Sequence, residues 1–398
     1  MPRKKKDGDS LEVRLTIPRE FDIKFTRDLF AEGNEVLAEM LGAGEGATPR
    51  VMIVADRAVV EGSPDLGRKI GKYFKDHGIA LAAKPYVANG GEINKTNGMT
   101  TVRQITEIAA DAALCRDGFM LVIGGGAMLD AAGFAAATFN RGLRTIRIPS
   151  TLLAQCGGGC FPTVGTNILN RKDANSIWQF PHGVAIDFDL LNSLPANVRG
   201  EGAAEAVKIA AARDAKFLEW IGDNAEKIAS GDRETLEETV RRSAALHAGL
   251  LAGAKGAPEP DAERIFEFGH WSAHRIEALG RFRIPHGAAL AAGLCIDAAY
   301  AASTKLVPED ESDIVGETLS RCGSLGCIDR IAMVLDRADD ILWGLEEFRQ
   351  HTGAHPLFPA PLGKAKDVGP ADVEKMREIL LEFGKTCRES AKDAAAGA

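Results

Sequence analysis

The sequence predicts two unlike halves: an N-terminal α/β Rossmann-like dinucleotide-binding domain and an all-α C-terminal metal-binding domain. Three observations carry this reading. Short apolar strands alternate with amphipathic helices as far as residue 194, and long helical segments take over from about Pro195. Three of only eight histidines, His270, His274 and His286, fall inside seventeen residues of that helical half.

Taken in order, Val51-Met52-Ile53-Val54 reads as a strand ending at Asp56. Phe119 to Ile123 forms a second, ending at Gly124, and Thr145 to Pro149 a third, ending at Ser150-Thr151. Helices are expected between them over 66–77 and 101–116. Near-continuous apolar strands alternating with helices specify a parallel sheet covered on both faces. Further helices are expected over 200–212, 214–229, 233–251 and 262–279, with joints at Gly280, Pro285, Gly323 and Pro356. The expected boundaries are a tail and first strand over 1–20, the NAD-binding α/β domain over 21–194, the helical metal and substrate domain over 195–390, and a disordered tail over 391–398.

At 398 residues, 45% hydrophobic and 26% charged, the composition is that of a globular protein with room for two domains. A net charge of −8 argues against nucleic-acid and anionic-membrane surfaces. The one basic run, 3–6, reads as a solvated tail. No apolar stretch reaches the ~18–20 residues of a membrane span and no signal-peptide core follows Met1. Seven scattered cysteines do not form a secreted disulfide framework, so the expected location is cytoplasmic. Cys156 and Cys160 flank three glycines; with no second pair nearby they read as small residues lining a cofactor loop.

Gly124-Gly125-Gly126 follows a strand and opens a helix running through Asp130. Glycines let backbone approach a pyrophosphate, and a helix N-terminus supplies N–H groups and positive dipole. The spacing is not the usual GxGxxG. The polar loop 90–97, with Glu92 and Lys95, suits ribose and phosphate, and Asp56 can accept from adenosine hydroxyls. All of these, with Ser150 and Thr151, lie at the carboxyl ends of strands, where open parallel sheets bind ligands. Together they suit a ligand with a pyrophosphate and an adenosine ribose.

His270 and His274 share one helix face. Glu205 and Lys208 are three apart in an apolar helix. Zinc and similar ions take imidazole nitrogen and carboxylate oxygen, and a catalytic site uses three protein ligands with one position open. Glu205, His270 and His286 supply such a set for Zn2+ or Co2+. His77, His351 and His355 read as ordinary structural histidines, and Trp271 as core packing.

These residues resemble the sugar phosphate cyclases, whose best-known member is 3-dehydroquinate synthase. The motifs run in family order: Asp56, GEINKT at 91–96, GGGAMLD at 124–130, NRGLR at 140–144, PSTLLAQ at 149–155, AEAVK at 204–208, FGHWSAH at 268–274 and HG at 286–287. FGHWSAH is most similar to an EboD-like branch of secondary metabolism. The resemblance implies an NAD- and metal-dependent lyase, a homodimer acting on a small sugar phosphate. Hydride transfer, phosphate elimination and intramolecular aldol closure would follow one another. It also implies Glu205, His270 and His286 as ligands, Lys208 and His274 as substrate or proton-transfer residues, Lys172 and Arg264 at the substrate, and Arg141 reaching across a dimer interface.

The chain departs from the family pattern in the loop after Gln155. A family aspartate is Gly157, a family lysine is Thr163, and the asparagine after Lys172 is Asp173; the usual glutamate after HG is Ala288. His247 stands approximately where the family has a lysine. An aspartate in place of an amide donor is expected to repel an anion. The implied activity is a cyclase with a substrate other than that of 3-dehydroquinate synthase. The alternatives are a relative that binds metabolites without catalysis, favoured by Gly157, Thr163 and Asp173, and a metal-dependent alcohol dehydrogenase, disfavoured by the AEAVK glutamate and the GEINKT loop.

Overall fold

The computed structural model describes residues 3–4, 11–13, 15, 17–46, 48–96, 99–253, 258–259 and 261–396. Seven parallel strands form the main sheet: β1 (Asp22–Thr26), β2 (Arg50–Asp56), β3 (Ala80–Leu81), β4 (Tyr86–Ala88), β5 (Phe119–Gly124), β6 (Arg144–Pro149) and β9 (Gly183–Asp187). Their order is β1-β9-β6-β5-β2-β3, with β4 also on β2. Strand alternation divides β2 between two cores. Val51, Ile53 and Ala55 pack with Leu121 and Ile148, whereas Met52 and Val54 pack with Met120, Ile105 and Leu129. Both faces are covered, as the apolar strands require.

Between β6 and β9 an antiparallel hairpin, β7 (Thr163–Ile168) and β8 (Arg171–Trp178), leaves the sheet. Leu169 and Asn170 turn it with φ of 52° and 55°, the left-handed pair that matches strand twist. Its register slips between Arg171 and Asn175, where Asp173 takes φ 50°. That bulge re-aims the Asp173 carboxylate.

The helical half begins with α5 (Ala196–Arg213); α1 (Leu66–Asp76), α2 (Glu92–Thr96), α3 (Thr100–Asp111) and α4 (Gly126–Thr138) precede it. Helix α5 is buried all round from Gly200 to Ala212, which its alanines allow and which makes it the centre of the helical core. Against it pack α6 (Arg233–Ala252) and α8 (His286–Ser303); α7 (His270–Leu279) packs in turn on α8, α9 (Ile328–Leu335) and α10 (Ala338–Thr352).

The described residues depart from the sequence expectations at several places: the helix expected over 101–116 ends at Asp111, and the helical half carries a short antiparallel ladder of Leu357–Pro359 with Ala365–Asp367. The helix expected over 214–229 is two, Ala215–Asp223 and Ala225–Ser230, because Asn224 caps the first through its backbone. The helix expected over 262–279 is broken at Gly269, whose φ of 77° belongs to no right-handed helix. At the C-terminus a helix continues from Val373 to Ala396 in place of a disordered tail. At the other end Arg3–Lys4 pairs with Leu11–Glu12 in a short antiparallel ladder, and the first sheet strand starts at Asp22. Among the described residues no helix is long and apolar enough to cross a membrane.

Cys156 and Cys160 sit in and just after a wide turn, Ala154–Gly158, with no exposed surface. Burial raises both thiols, Cys160 to about 12 and Cys156 further. A raised pKa leaves almost no thiolate at pH 8. Brief alkylation of the native protein at that pH should therefore label exposed Cys115 and spare Cys156 and Cys160, read by peptide mass spectrometry.

Gly269 sets the start of α7. A Cβ there would lie 2.9 Å from Leu294 Cδ2, on a backbone that side chains rarely adopt. Left-handed strain and overpacking each cost on the order of 1–2 kcal/mol. Gly269→Ala should lose at least ~2 kcal/mol of stability in urea unfolding.

Candidate active site

One cavity of about 900 Å³ lies between the sheet's carboxyl edge and the helical half. Its sheet wall carries the sequence-expected cofactor residues Asp56, Glu92, Lys95, Gly125, Gly126, Asp130, Ser150 and Thr151. Gly125 is extended and Gly126 is the first residue of α4, so the first N–H groups of that helix face the cavity edge. Gly124 does not line it; a Cβ there would meet Met128 Cβ at 2.7 Å, so this glycine serves close packing beneath the turn. Asp56 accepts from Ala58 N–H at 3.0 Å and burial raises its carboxyl. Asn97, the end of the polar loop, lies outside the described residues.

The helical wall carries Glu205, Lys208, His247, His270, His274 and His286. Lys208 Nζ donates to Glu205 Oε1 at 2.8 Å and to the Phe266 carbonyl at 2.8 Å. Burial opposes the Glu205 charge, but Lys208 and His247 bring its carboxyl down to about 2. His247 places Nδ1 2.8 Å from the Ser243 carbonyl, which fixes a proton there, and its Nε2 lies 3.3 Å from Glu205 Oε1. A Cβ on Gly157 would fall 2.3 Å from that oxygen and 2.6 Å from that nitrogen, so only glycine fits beside the pair.

His270, His274 and His286 each bring a ring nitrogen within 4.8 Å of the others. His270 Nε2 and His286 Nε2 are 3.3 Å apart. Burial, then Lys208 and the neighbouring histidines, keep His270 well below its usual pKa; burial and Lys172 do the same for His274. Neutral imidazoles offer lone pairs, and this donor set fits a divalent ion. Glu205 lines the same cavity but is not in this tight group; its Oε1 is already taken by Lys208.

Two buried residues unforeseen in the sequence support the wall from behind. Glu277, fully buried on α7, lies 2.9 Å from His286 Nδ1 through Oε2 and 3.3 Å from Lys172 Nζ through Oε1. A carboxylate behind a metal-binding imidazole fixes its tautomer and ring orientation. Its position, seven residues after His270 on one helix face, was the available signal. Asn167 on β7 donates to Glu92 Oε2 at 2.9 Å and accepts from the Asp173 N–H at 3.0 Å.

The charges that the hairpin brings in are all paired. Lys172 meets Glu92 at 2.5 Å as well as Glu277. Lys95 meets Asp130 at 2.5 Å and also Asp173. Burial alone would lower Lys95, but Asp130, Asp173 and Glu92 hold it well above its ordinary value. The expected repulsive role of Asp173 is thus corrected: its carboxylate is spent on Lys95 and does not stand free against a ligand.

Arg264, expected at the substrate, is not brought to the cavity. Arg264 points away, donating to the His355 carbonyl at 2.6 and 2.9 Å and pairing with Asp261 and Asp367. Arg141 is exposed on a left-handed turn, φ 66°, outside the lining.

The sequence and the fold match those of known proteins. Residues 85–200 match the 3-dehydroquinate synthase N-terminal family and residues 202–332 the 3-dehydroquinate synthase C-terminal family. The chain is 30% identical over 302 residues to 3-dehydroquinate synthase of Rhodopirellula baltica, covering 75% of this chain and 78% of that protein. The fold superposes on ValA, the 2-epi-5-epi-valiolone synthase of Streptomyces hygroscopicus subsp. jinggangensis, solved with NAD+ and Zn2+, at TM-score 0.79 and 21% identity over 94% of this chain and 99% of that one. It also superposes on 2-deoxy-scyllo-inosose synthase solved with carbaglucose-6-phosphate, NAD+ and Co2+, at TM-score 0.73 and 22% identity over 90% and 96%. With both family halves matched in order around one cleft, the chain belongs to the 3-dehydroquinate synthase family of sugar phosphate cyclases.

Proposed function

We propose that this protein is an NAD- and divalent-metal-dependent sugar phosphate cyclase whose substrate differs from that of 3-dehydroquinate synthase. The observation that carries the reading is one cavity holding both the Gly125-Gly126 helix start and the histidine cluster. When bound, NAD supplies reversible hydride acceptance and the ion Lewis acidity.

The chain's own residues divide the remaining work. Asp56 accepts ribose hydroxyls, and the α4 N–H groups receive the pyrophosphate, with Ser150 and Thr151 beside them. Lys208, held by Glu205 and the Phe266 carbonyl, presents its ammonium to a substrate hydroxyl. His274, buried and neutral, accepts a proton at a ring nitrogen. The ion, zinc or cobalt, is assigned to Glu205, His270 and His286, a mixed nitrogen and oxygen set. A second assignment replaces Glu205 by His274, and the mutual 4.8 Å grouping of the three imidazoles favours it. Elemental analysis separates them. His270→Ala should lose most bound metal in either case, whereas Glu205→Gln should lose it only under the first and His274→Ala only under the second.

Gly125→Val should abolish NAD binding, because a side chain there enters the space of Thr151, 3.1 Å from the Cβ position, and of the pyrophosphate. Unchanged affinity by calorimetry would refute the placement.

Neither Lys95 nor Lys172 has a charge left for a substrate phosphate. Each charge-assisted hydrogen bond is worth about 1.5–3 kcal/mol, so lacking two lowers affinity roughly a hundredfold or more. The protein should therefore turn over 3-deoxy-arabino-heptulosonate 7-phosphate poorly or not at all; efficient formation of 3-dehydroquinate would overturn this. Thr163→Lys combined with Asp173→Asn adds one cation and frees Lys95 from one of its two partners. That variant should bind the heptulosonate phosphate at least tenfold more tightly.

A homodimer and a cytoplasmic location belong to the same proposal. They are supported by the exposure of Arg141, which the family resemblance implies to reach a second copy, and by seven free cysteines. Sedimentation equilibrium at micromolar concentration should give twice the chain mass.

A further inference from the structure

We propose that Asp297 is a positioning residue that fixes the slide of α7 along α8 and so holds His270 opposite His286. The inference rests on the reading of those histidines as metal ligands.

On α8, Gly293 and Asp297 follow His286 by seven and eleven residues. At about 100° per residue both return to within about 20° of the same direction, so the three form one stripe. That stripe faces α7. At one end His286 Nδ1 meets Glu277 Oε2 at 2.9 Å. In the middle, a Cβ on Gly293 would fall 2.2 Å from the Gly269 carbonyl oxygen, so the two backbones touch. At the far end Asp297 Oδ1 accepts the Trp271 indole N–H at 2.7 Å, and neither residue is exposed by more than 2%.

Along α8, two polar contacts tie helix α7, one near each of its ends, and His270 adjoins the Trp271 anchor. A glycine–glycine contact permits close approach but resists sliding poorly, having no side chain to interlock. The indole–carboxylate bond is directional and buried, so it does resist. Helix rise is about 1.5 Å per residue, while metal–ligand distances tolerate only about 0.2 Å. A slip far smaller than one residue would spoil the pair whose ring nitrogens now stand 3.3 Å apart. Were Trp271 mere core filling, an apolar neighbour would serve as well as a carboxylate.

The test titrates full-length protein with Co2+ alone and records affinity and the visible d–d spectrum. Asp297→Leu removes the acceptor, Trp271→Phe removes the donor while keeping a ring, and Asp297→Asn keeps an oxygen at the indole. Asp297→Leu and Trp271→Phe should bind Co2+ at least tenfold more weakly with altered band intensities. Asp297→Asn should stay within about threefold of the parent. Parental affinity and spectrum in both disrupted variants, folded by circular dichroism, would reduce the contact to packing and overturn the proposal. So would an Asp297→Asn variant as impaired as Asp297→Leu. If Asp297→Leu does not fold, Trp271→Phe decides from the other side of the same bond. A parent that binds no Co2+ would overturn the metal reading itself, and this inference with it.

Discussion

Lys172 is buried between Glu92, on the sheet side of the cleft, and Glu277, on the helical side. A charge taken out of water is tolerated only with its partners in place, and removing one leaves the others uncompensated. The β7–β8 hairpin that carries Lys172 must therefore be seated before the cleft is complete. Through Glu277 the same constraint reaches the Nδ1 of His286, so the position of one ammonium group decides how one imidazole presents its other nitrogen. The two halves of the molecule are joined electrostatically at the place where the chemistry is proposed.

That network explains why the cavity is rich in charge and yet poor in free charge. Lys95 and Lys172 each hold two carboxylates, and Lys208 holds Glu205. A ligand entering here meets oriented dipoles and neutral imidazoles more than bare ammonium groups. Burial keeps His270 and His274 unprotonated, which is the state a metal requires and the state that suits a proton acceptor. Burial likewise holds the thiols of Cys156 and Cys160, packed in the core behind the cavity, inert. One physical cause, burial, thus gives opposite consequences for the two residue types.

Asp173 shows how a substitution changes meaning with its backbone. In an extended strand its carboxylate would project toward a ligand, as its family position suggests. The register slip and the left-handed φ at this residue instead aim it at Lys95. The effect on an anionic substrate has the same sign, but it comes from neutralising a cation and not from repelling the ligand.

Much was legible in the chain itself. The strands at 50–56, 119–124 and 144–149 and their parallel order follow from apolar runs punctuated by glycine and small polar residues. Glycine at 125 and 126 and the four-residue spacing of His270 and His274 are local patterns, and local patterns survive into any fold. Glu205, Lys208, His270 and His286 were named from donor chemistry together with family order. What only the tertiary structure decided is non-local. Glu277 and Asn167 gain their roles from partners 9 to 105 residues away. Arg264 is drawn to the His355 carbonyl, Asp261 and Asp367, partners that the spacing along the chain does not announce. The grouping of His274 with His270 and His286, closer than Glu205, depends on how α7 slides on α8. Those helices meet at the Gly269–Gly293 approach and at the Trp271–Asp297 bond, contacts between segments that no spacing along the chain encodes.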